Sequence, residues 1–357
     1  MKNQIDILVA LCRRYGTANY VNGGGGNVSW KNQETLWIKA SGTYLAEADE
    51  TTLVAVKRKP LGDLYRSPAP QDTNEREDWA KHIVQNAVED SLSSGRPSVE
   101  TPLHDLFEAA YVVHTHPALV NGLTCAKNAE SACQELFPEA LWVAYVDPGV
   151  TLCLQVKRQF EAYVSEHGCE PSVILMQNHG LVVAADELSE IDLIHERIFK
   201  KLEDTYRKAG IDTGFPEYEA EEVSALPVDI LTAKIKPEAV TEKCTGFDPA
   251  SGPLTPDHVV YSGVEPLSLV NGDSLFTYNE RFGTDPRLLI HADGMYAHGA
   301  THSQVKAACD LAADGAHILR LTEAFGGANF MSEKQWRFVI NWEAESYRQS
   351  VARNVET

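Results

Sequence analysis

The sequence predicts an α/β chain in two parts: a layered domain over residues 1–210 and a smaller α/β unit over residues 254–357. Three observations carry this reading. Up to Gly210, short apolar runs rich in β-branched residues alternate with amphipathic stretches. From Ile211 to Pro253 the text turns acidic and dotted with proline, which marks 211–253 as a linker. Beyond it, strand-like and helix-like segments resume.

The elements follow in order. MKNQIDILVALCRRYG reads as an amphipathic helix, without the basic, apolar and small-residue succession of a secretion signal. LWIKA (36–40), AYVVHTH (110–116), ALWVAYV (140–146) and SVILMQN (172–178) read as strands. Residues 74–92, 152–168 and 187–210 read as helices. The last carries Ile191, Ile194, Ile198 and Leu202 at helical spacing and ends on Gly210. In the second part HVVYSG and PRLLIHA read as strands, and the stretches beginning at Ser303 and Ser332 as helices. A strand, glycine, strand, turn and helix order recurs at 174–190 and 288–304, which would set Asp293 in the place of His179.

Composition narrows the function classes. No apolar run approaches the roughly 20 residues that a membrane helix needs, so the expectation is a soluble protein of the cytoplasm. The formal net charge of -20 repels nucleic acid and anionic membranes. An anionic substrate therefore needs a local pocket of donors. Seven scattered cysteines without a C-x-x-C pair argue against a disulfide framework and against a cysteine-bound metal, and read as small buried hydrophobes.

The chemistry concentrates in a few residues. His114 and His116 end an apolar run, and period 2 in a strand turns both imidazoles to one face. A catalytic zinc site takes three protein ligands and leaves a fourth position open. His179 is the third candidate, closing a second apolar run and followed by Gly180 where the chain turns past the site. Glu100 and His104 lie one helical turn apart in SVETPLHDLF, just before the strand of His114, so Glu100 can lean over the metal as acid and base. The glycine run Gly23 to Gly26 in VNGGGGNVSW bends the backbone and aims N–H groups at an anion, without matching a dinucleotide or P-loop pattern. LWIKASGT adds Lys39, Ser41 and Gly42, and with Ser98 these read as a phosphate cradle. Asp293, His298 and His302 suggest a second metal site, but their spacing fits a solvated turn and helix start better.

The ordered motifs GGGGNVSW, IKASGT, PSVETPLH, VVHTHP and QNHG resemble the class II aldolase/adducin family over about residues 5–210. The resemblance implies an αβα domain with a central, mostly antiparallel sheet, a homo-oligomer (commonly a tetramer) and a bound Zn2+, or another divalent ion such as Mn2+ or Co2+. It implies that His114, His116 and His179 are the metal ligands and Glu100 the acid/base. Gly26, Asn27, Ser41, Gly42 and Ser98 would hold a substrate phosphate, and Tyr145 would lie near the site of a partner subunit. Val99 departs from the pattern, standing where family aldolases often carry a second serine. The implied reaction is cleavage of a ketose 1-phosphate of the deoxyhexulose type into dihydroxyacetone phosphate and an aldehyde, through a metal-stabilised enediolate. Rival readings within the family are a sugar-phosphate epimerase, a dehydratase and a metal-free adducin-like scaffold. The glutamate at position 100 speaks against the epimerase, and the three histidines against the scaffold.

Overall fold

The computed structural model describes residues 2–89, 95–223 and 240–342. The end of the helix expected over 74–92, the middle of the expected linker and, from residue 343 onward, the remainder of the helix expected to begin at Ser332 lie outside the described residues. The chain divides into two compact units. The first takes in residues up to Thr124 with Asn128–Thr205, and the second takes in Cys125–Lys127 with residues from Tyr206 onward.

The first unit is built on a seven-stranded sheet of order β3-β2-β1-β4-β7-β6-β5. Its strands are β1 (Asn27–Lys31), β2 (Thr35–Lys39), β3 (Leu53–Lys57), β4 (Tyr111–Thr115), β5 (Leu141–Val143), β6 (Val173–Met176) and β7 (Gly180–Ala185). Every pairing is antiparallel except that of β5 with β6. The mixed α/β architecture and the mostly antiparallel sheet are those expected. The β1–β2 turn closes on Asn32, whose side-chain oxygen accepts from the amides of Glu34 and Thr35, as asparagine does in turns.

Helices cover the sheet because its strands are buried on both faces. In chain order these are α1 (Lys2–Tyr15), α2 (Arg58–Leu61), α3 (Asp63–Arg66), α4 (Thr73–Ala87), α5 (Thr101–Asp105), α6 (Ala118–Thr124), α7 (Ala129–Leu136), α8 (Val150–His167) and α9 (Leu188–Lys208). Leu103 and Phe107, from α5 and the residues after it, pack with Leu152, Val156 and Phe160 of α8 against Val112, Ile174, Val182 and Ala184. Leu61, Leu64, Ala80 and Val84 of α2 to α4 cover Leu36, Ile38, Val54 and Val56 at the other end. The register sets Asn27 opposite His114 and Val182 opposite His114 on its other side, so these three side chains share the face that α5 and α8 cover. Along α9 the buried stripe runs through Ile191, His195, Ile198 and Leu202, with Ile194 half-buried. A histidine takes a place that periodicity gives to an aliphatic side chain.

The second unit holds a five-stranded sheet of order β10-β11-β12-β9-β8. Its strands are β8 (Glu219–Glu222), β9 (Val240–Thr245), β10 (Leu267–Ser268), β11 (Leu288–His291) and β12 (Gly294–Gly299), and its helices α10 (Leu275–Phe282), α11 (His302–Thr322) and α12 (Glu333–Asn341). Three expectations differ from what is found. Within 211–253, read as linker, β8 and β9 pair with each other and β9 with β12, so their backbone hydrogen bonds are met inside the sheet. HVVYSG, read as a strand, is a π-helical segment over His258–Ser262. The chain enters it at Thr255 and Pro256, and the Thr255 amide and hydroxyl both bond His258 Nδ1, a helix-start arrangement that outweighs the β-branched residues. Cys244 of β9 and Cys309 of α11 are paired as a disulfide, contrary to the reading of all cysteines as unpaired. A separation of 65 residues gives the sequence no sign of this pairing.

His195 generates a pH test of the first unit. Its Nδ1–H donates to Ile191 O at 2.8 Å, and burial pushes its pKa down from 6.5 to about 4. The folded chain therefore resists protonation that the unfolded chain accepts. The stability that the neutral ring contributes is complete above 6.5 and is lost as pH falls through the folded value near 4. In urea unfolding of the metal-free chain across this range, His195→Gln lowers the dependence of stability on pH by up to one proton per chain. An unchanged slope contradicts the assignment.

Candidate metal centre

The site forms where β4 ends and the β6–β7 turn passes over it. His114 is on β4, paired with Val182 and Asn27. His116 lies one residue past the strand, its amide donating to Tyr20 O at 2.8 Å. His179 stands in the β6–β7 turn, which Asn178 closes in the left-handed region (φ 52°), a conformation that asparagine tolerates better than most residues. The amides of Asn178 and His179 donate to Thr124 O and Met176 O and fix the turn.

The three imidazoles converge. His114 Nε2 lies 3.0 Å from His116 Nε2 and 3.3 Å from His179 Nε2, and the rings meet edge to face. His114 Nδ1 is 2.9 Å from Leu181 O, an atom that can only accept, so Nδ1 carries the proton and Nε2 presents a lone pair. Burial lowers the His114 pKa to about 3, which keeps the ring neutral. A tetrahedral zinc ion with bonds of about 2.0–2.1 Å sets its ligand atoms about 3.3–3.4 Å apart. The donor set fits such an ion in type, His114 in protonation, and its separations from His116 and His179 in spacing. Among the described residues this is the one group of three or more metal-capable side chains.

The close approach depends on glycine. A Cβ on Gly180 would stand 2.4 Å from Thr115 O and 2.7 Å from His116 Cδ2, and one on Gly26, where φ is 65°, would stand 2.9 Å from His114 O. Any side chain at either position pushes β4 or its histidines away.

Glu100 flanks the cluster at the start of α5. Its Oε2 lies 3.4 Å from His114 Nε2 and its Oε1 3.3 Å from His179 Nε2. Burial by itself raises the Glu100 carboxyl, but the hydrogen bonds it accepts from His179 and from the Asn27 amide, which donates to Oε2 at 2.7 Å, hold it well below the usual carboxylate range. Glu100 is thus an ionised base at rest. His104, fully buried, bonds Ser29 Oγ through Nδ1 at 2.7 Å, and burial keeps it neutral. Lys31 Nζ donates to His104 O at 2.9 Å, and burial lowers its pKa to about 7.

The candidate anion cradle is brought up to Glu100. Ser41 N donates to Arg96 O at 2.8 Å and Ala40 bridges Pro97, which sets the Ser41–Gly42 turn (Gly42 φ 83°) beside Ser98. Ser98 Oγ accepts from the Glu100 amide at 3.2 Å. Lys39, buried, donates to Thr43 O at 2.6 Å and Gly24 O at 3.4 Å, so its charge joins the glycine loop to this turn. Asn27 is turned to Glu100, a partner for which its sequence position gives no sign. Tyr145 bonds through its amide to Gln177 Oε1 at 3.0 Å, and burial, with Asp147, raises its phenol above the ordinary range. Sequence reasoning missed Ser29 and Lys31. A signal was available: polar Asn27, Ser29 and Lys31 alternate in a strand whose neighbours are apolar. In the second unit Asp293 bonds His291, Lys243 and Tyr296, while His302, exposed, lies 3.6 Å from Glu222, so no second metal group forms there among the described residues.

The model of the class II aldolase and adducin N-terminal domain matches residues 6–191. An uncharacterized oxidoreductase, YuxG, of Bacillus subtilis (strain 168) is 30% identical over 171 residues, which are 45% of this chain and 23% of that protein, so the chain spans less than a quarter of its relative. Among solved structures, the N-terminal class II aldolase domain of a conserved protein from Thermoplasma acidophilum is similar at 24% identity and a TM-score of 0.47, over 56% of this chain and 92% of the other. A sugar-phosphate aldolase from Thermotoga maritima is similar at 17% identity and 0.42, over 59% and 96%.

A Gly180→Ala chain, which forces the turn off β4, is expected to fold but to purify with well under one zinc ion per chain. Gly168→Ala, at a helix end with φ 72° and open space around it, controls for a strained glycine and keeps its metal. Full zinc occupancy in Gly180→Ala by elemental analysis contradicts the packing argument.

Proposed function

The chain belongs to the class II aldolase and adducin N-terminal domain family, and we propose that within it the protein is a divalent-metal aldolase. Its substrate is a ketose 1-phosphate of the deoxyhexulose type, cleaved in the cytoplasm by a homo-oligomer, a tetramer as the family resemblance suggests. The observation that carries the reading is the ionised Glu100 carboxylate set 3.3–3.4 Å from two of three converging imidazoles.

His114, His116 and His179 would hold a divalent ion, zinc or else manganese or cobalt, which would supply Lewis acidity to the ketose. The chain does the rest. Gly26, Asn27, Ser41, Gly42 and Ser98 hold the phosphate, with Lys39 giving the local positive charge that a chain of net charge -20 otherwise lacks. In cleavage, one substrate hydroxyl loses its proton and becomes the aldehyde. The electron pair of the broken carbon–carbon bond passes to the ketone half, and the carbon left behind takes up a proton. Glu100 starts as a base, so it collects a proton before it delivers one to that carbon. The proton that the hydroxyl loses is the one Glu100 takes up, and Tyr145, held protonated, gives the aldehyde oxygen a hydrogen bond without transferring its proton.

All three metal-capable histidines are present, which a metal-free scaffold does not need. A dehydratase of the family would use the same histidines and the same glutamate, and its products separate it from an aldolase.

Incubation of the zinc-loaded chain with a panel of ketose 1-phosphates is expected to release dihydroxyacetone phosphate and an aldehyde. Glu100→Gln is expected to keep its zinc and lose turnover by about 10²- to 10⁴-fold, the range of a general acid–base group. Full turnover in Glu100→Gln removes the glutamate from its role, and loss of water from the substrate without carbon–carbon cleavage replaces the aldolase with the dehydratase.

A further inference from the structure

Glu100 caps a helix of five residues and makes no side-chain cap hydrogen bond of its own. A helix so short has little intrinsic stability, so what fixes the carboxylate comes from outside it. The neighbouring strand supplies three contacts. Asn27, Ser29 and Lys31 alternate along β1 and project to one face, where they meet the Glu100 carboxylate, the His104 ring and the His104 carbonyl. The His104 amide in turn donates to Glu100 O at 3.2 Å, so the ring and the carboxylate belong to one turn of chain.

Packing alone does not account for a histidine at this place. His104 is 0% exposed, and its Nε2 is buried without a hydrogen-bond partner. An apolar side chain would fill the same space beside Leu103 and Phe107 without an unpaired polar atom. What only a hydrogen-bonding side chain provides is a directional bond to Ser29. We propose that Ser29 and His104 are positioning residues for Glu100: their bond sets the α5 turn so that the carboxylate stays beside His114 and His179. Neither residue touches the metal ligands through a hydrogen bond, and Asn27, the third contact, holds the carboxylate directly. Loss of the Ser29–His104 bond therefore lets the turn rotate about the remaining contacts at Asn27 and Lys31. The effect on turnover rests on the aldolase reading above, while the effect on the place of Glu100 does not.

The test uses the full chain loaded with cobalt(II), whose visible spectrum reports the groups facing the ion, with Glu100→Gln as the reference for a displaced or altered carboxylate. Ser29→Ala and His104→Asn are each expected to bind one cobalt ion per chain with affinity like the parent and to shift the spectrum toward that of Glu100→Gln. Their kcat on a ketose 1-phosphate falls about 10- to 100-fold, as small misplacements of catalytic groups do, with KM little changed. Ser29→Thr, which keeps the hydroxyl, restores both readouts. A parental cobalt spectrum in Ser29→Ala overturns the proposal and leaves the pair as packing, and Ser29→Ala decides the matter if His104→Asn does not fold. Loss of cobalt from both variants, with Glu100→Gln retaining it, also overturns it, because the pair would then support the histidines. If the spectra shift as expected while the parent cleaves no ketose 1-phosphate, the positioning role stands and the substrate reading falls.

Discussion

Three imidazole nitrogens brought to 3.0 and 3.3 Å of one another inside a protein offer a seat for a cation, and the first unit is arranged around bringing them together. The Leu181 carbonyl fixes the His114 proton on Nδ1, and burial removes any advantage in adding a second. That geometry exists because three segments come closer than side chains permit. Gly26 lets the glycine loop reach the carbonyl of His114, and Gly180 lets β7 start against Thr115 and His116. Asn178 turns the chain sharply enough for His179 to come back over β4. The sheet register then puts Asn27 on the same face, which is how a residue from the first hairpin comes to hold a carboxylate that follows it by 73 positions.

Electrostatics divides the same pocket into two tasks. Around the histidines, burial works against every charge, and Glu100 keeps its own because it accepts hydrogen bonds from His179 and the Asn27 amide. A few residues away, Lys39 holds a buried positive charge against the Gly24 and Thr43 carbonyls in a chain whose net charge is -20. Asn27 sits between the two, adjoining Gly26 in sequence and bonded to Glu100 in space.

Much of this was legible in the sequence where it depends on local pattern. The pair His114 and His116 is visible because a strand has period 2, and His179 because a glycine follows it at the end of an apolar run. The antiparallel character of the sheet came from the motif order and not from periodicity, which does not distinguish strand partners. What escaped the sequence depends on tertiary pairing. Asn27 turned to Glu100, Ser29 to His104 and Lys31 to the end of α5 all need the β1–β4 register before they have meaning. The same holds for β8 and β9, whose charged residues look like linker until the β12 partner is known, and for Cys244 with Cys309. His258 shows the opposite failure, since a β-branched run lost to a local helix start at Thr255 and Pro256. The repeated order at 174–190 and 288–304 is real as an order of elements. Asp293 in its second copy is occupied by Lys243, His291 and Tyr296, so it does not reproduce the role of His179.

The claim on which everything else depends is that His114, His116 and His179 together bind one divalent ion, and X-ray absorption at the zinc edge addresses it directly. The zinc-loaded chain is expected to show imidazole scattering from three nitrogen ligands at about 2.0–2.1 Å, falling to two when His179 is replaced by alanine. Sulfur ligation, or a spectrum with three imidazoles that survives the loss of His179 unchanged, contradicts the account.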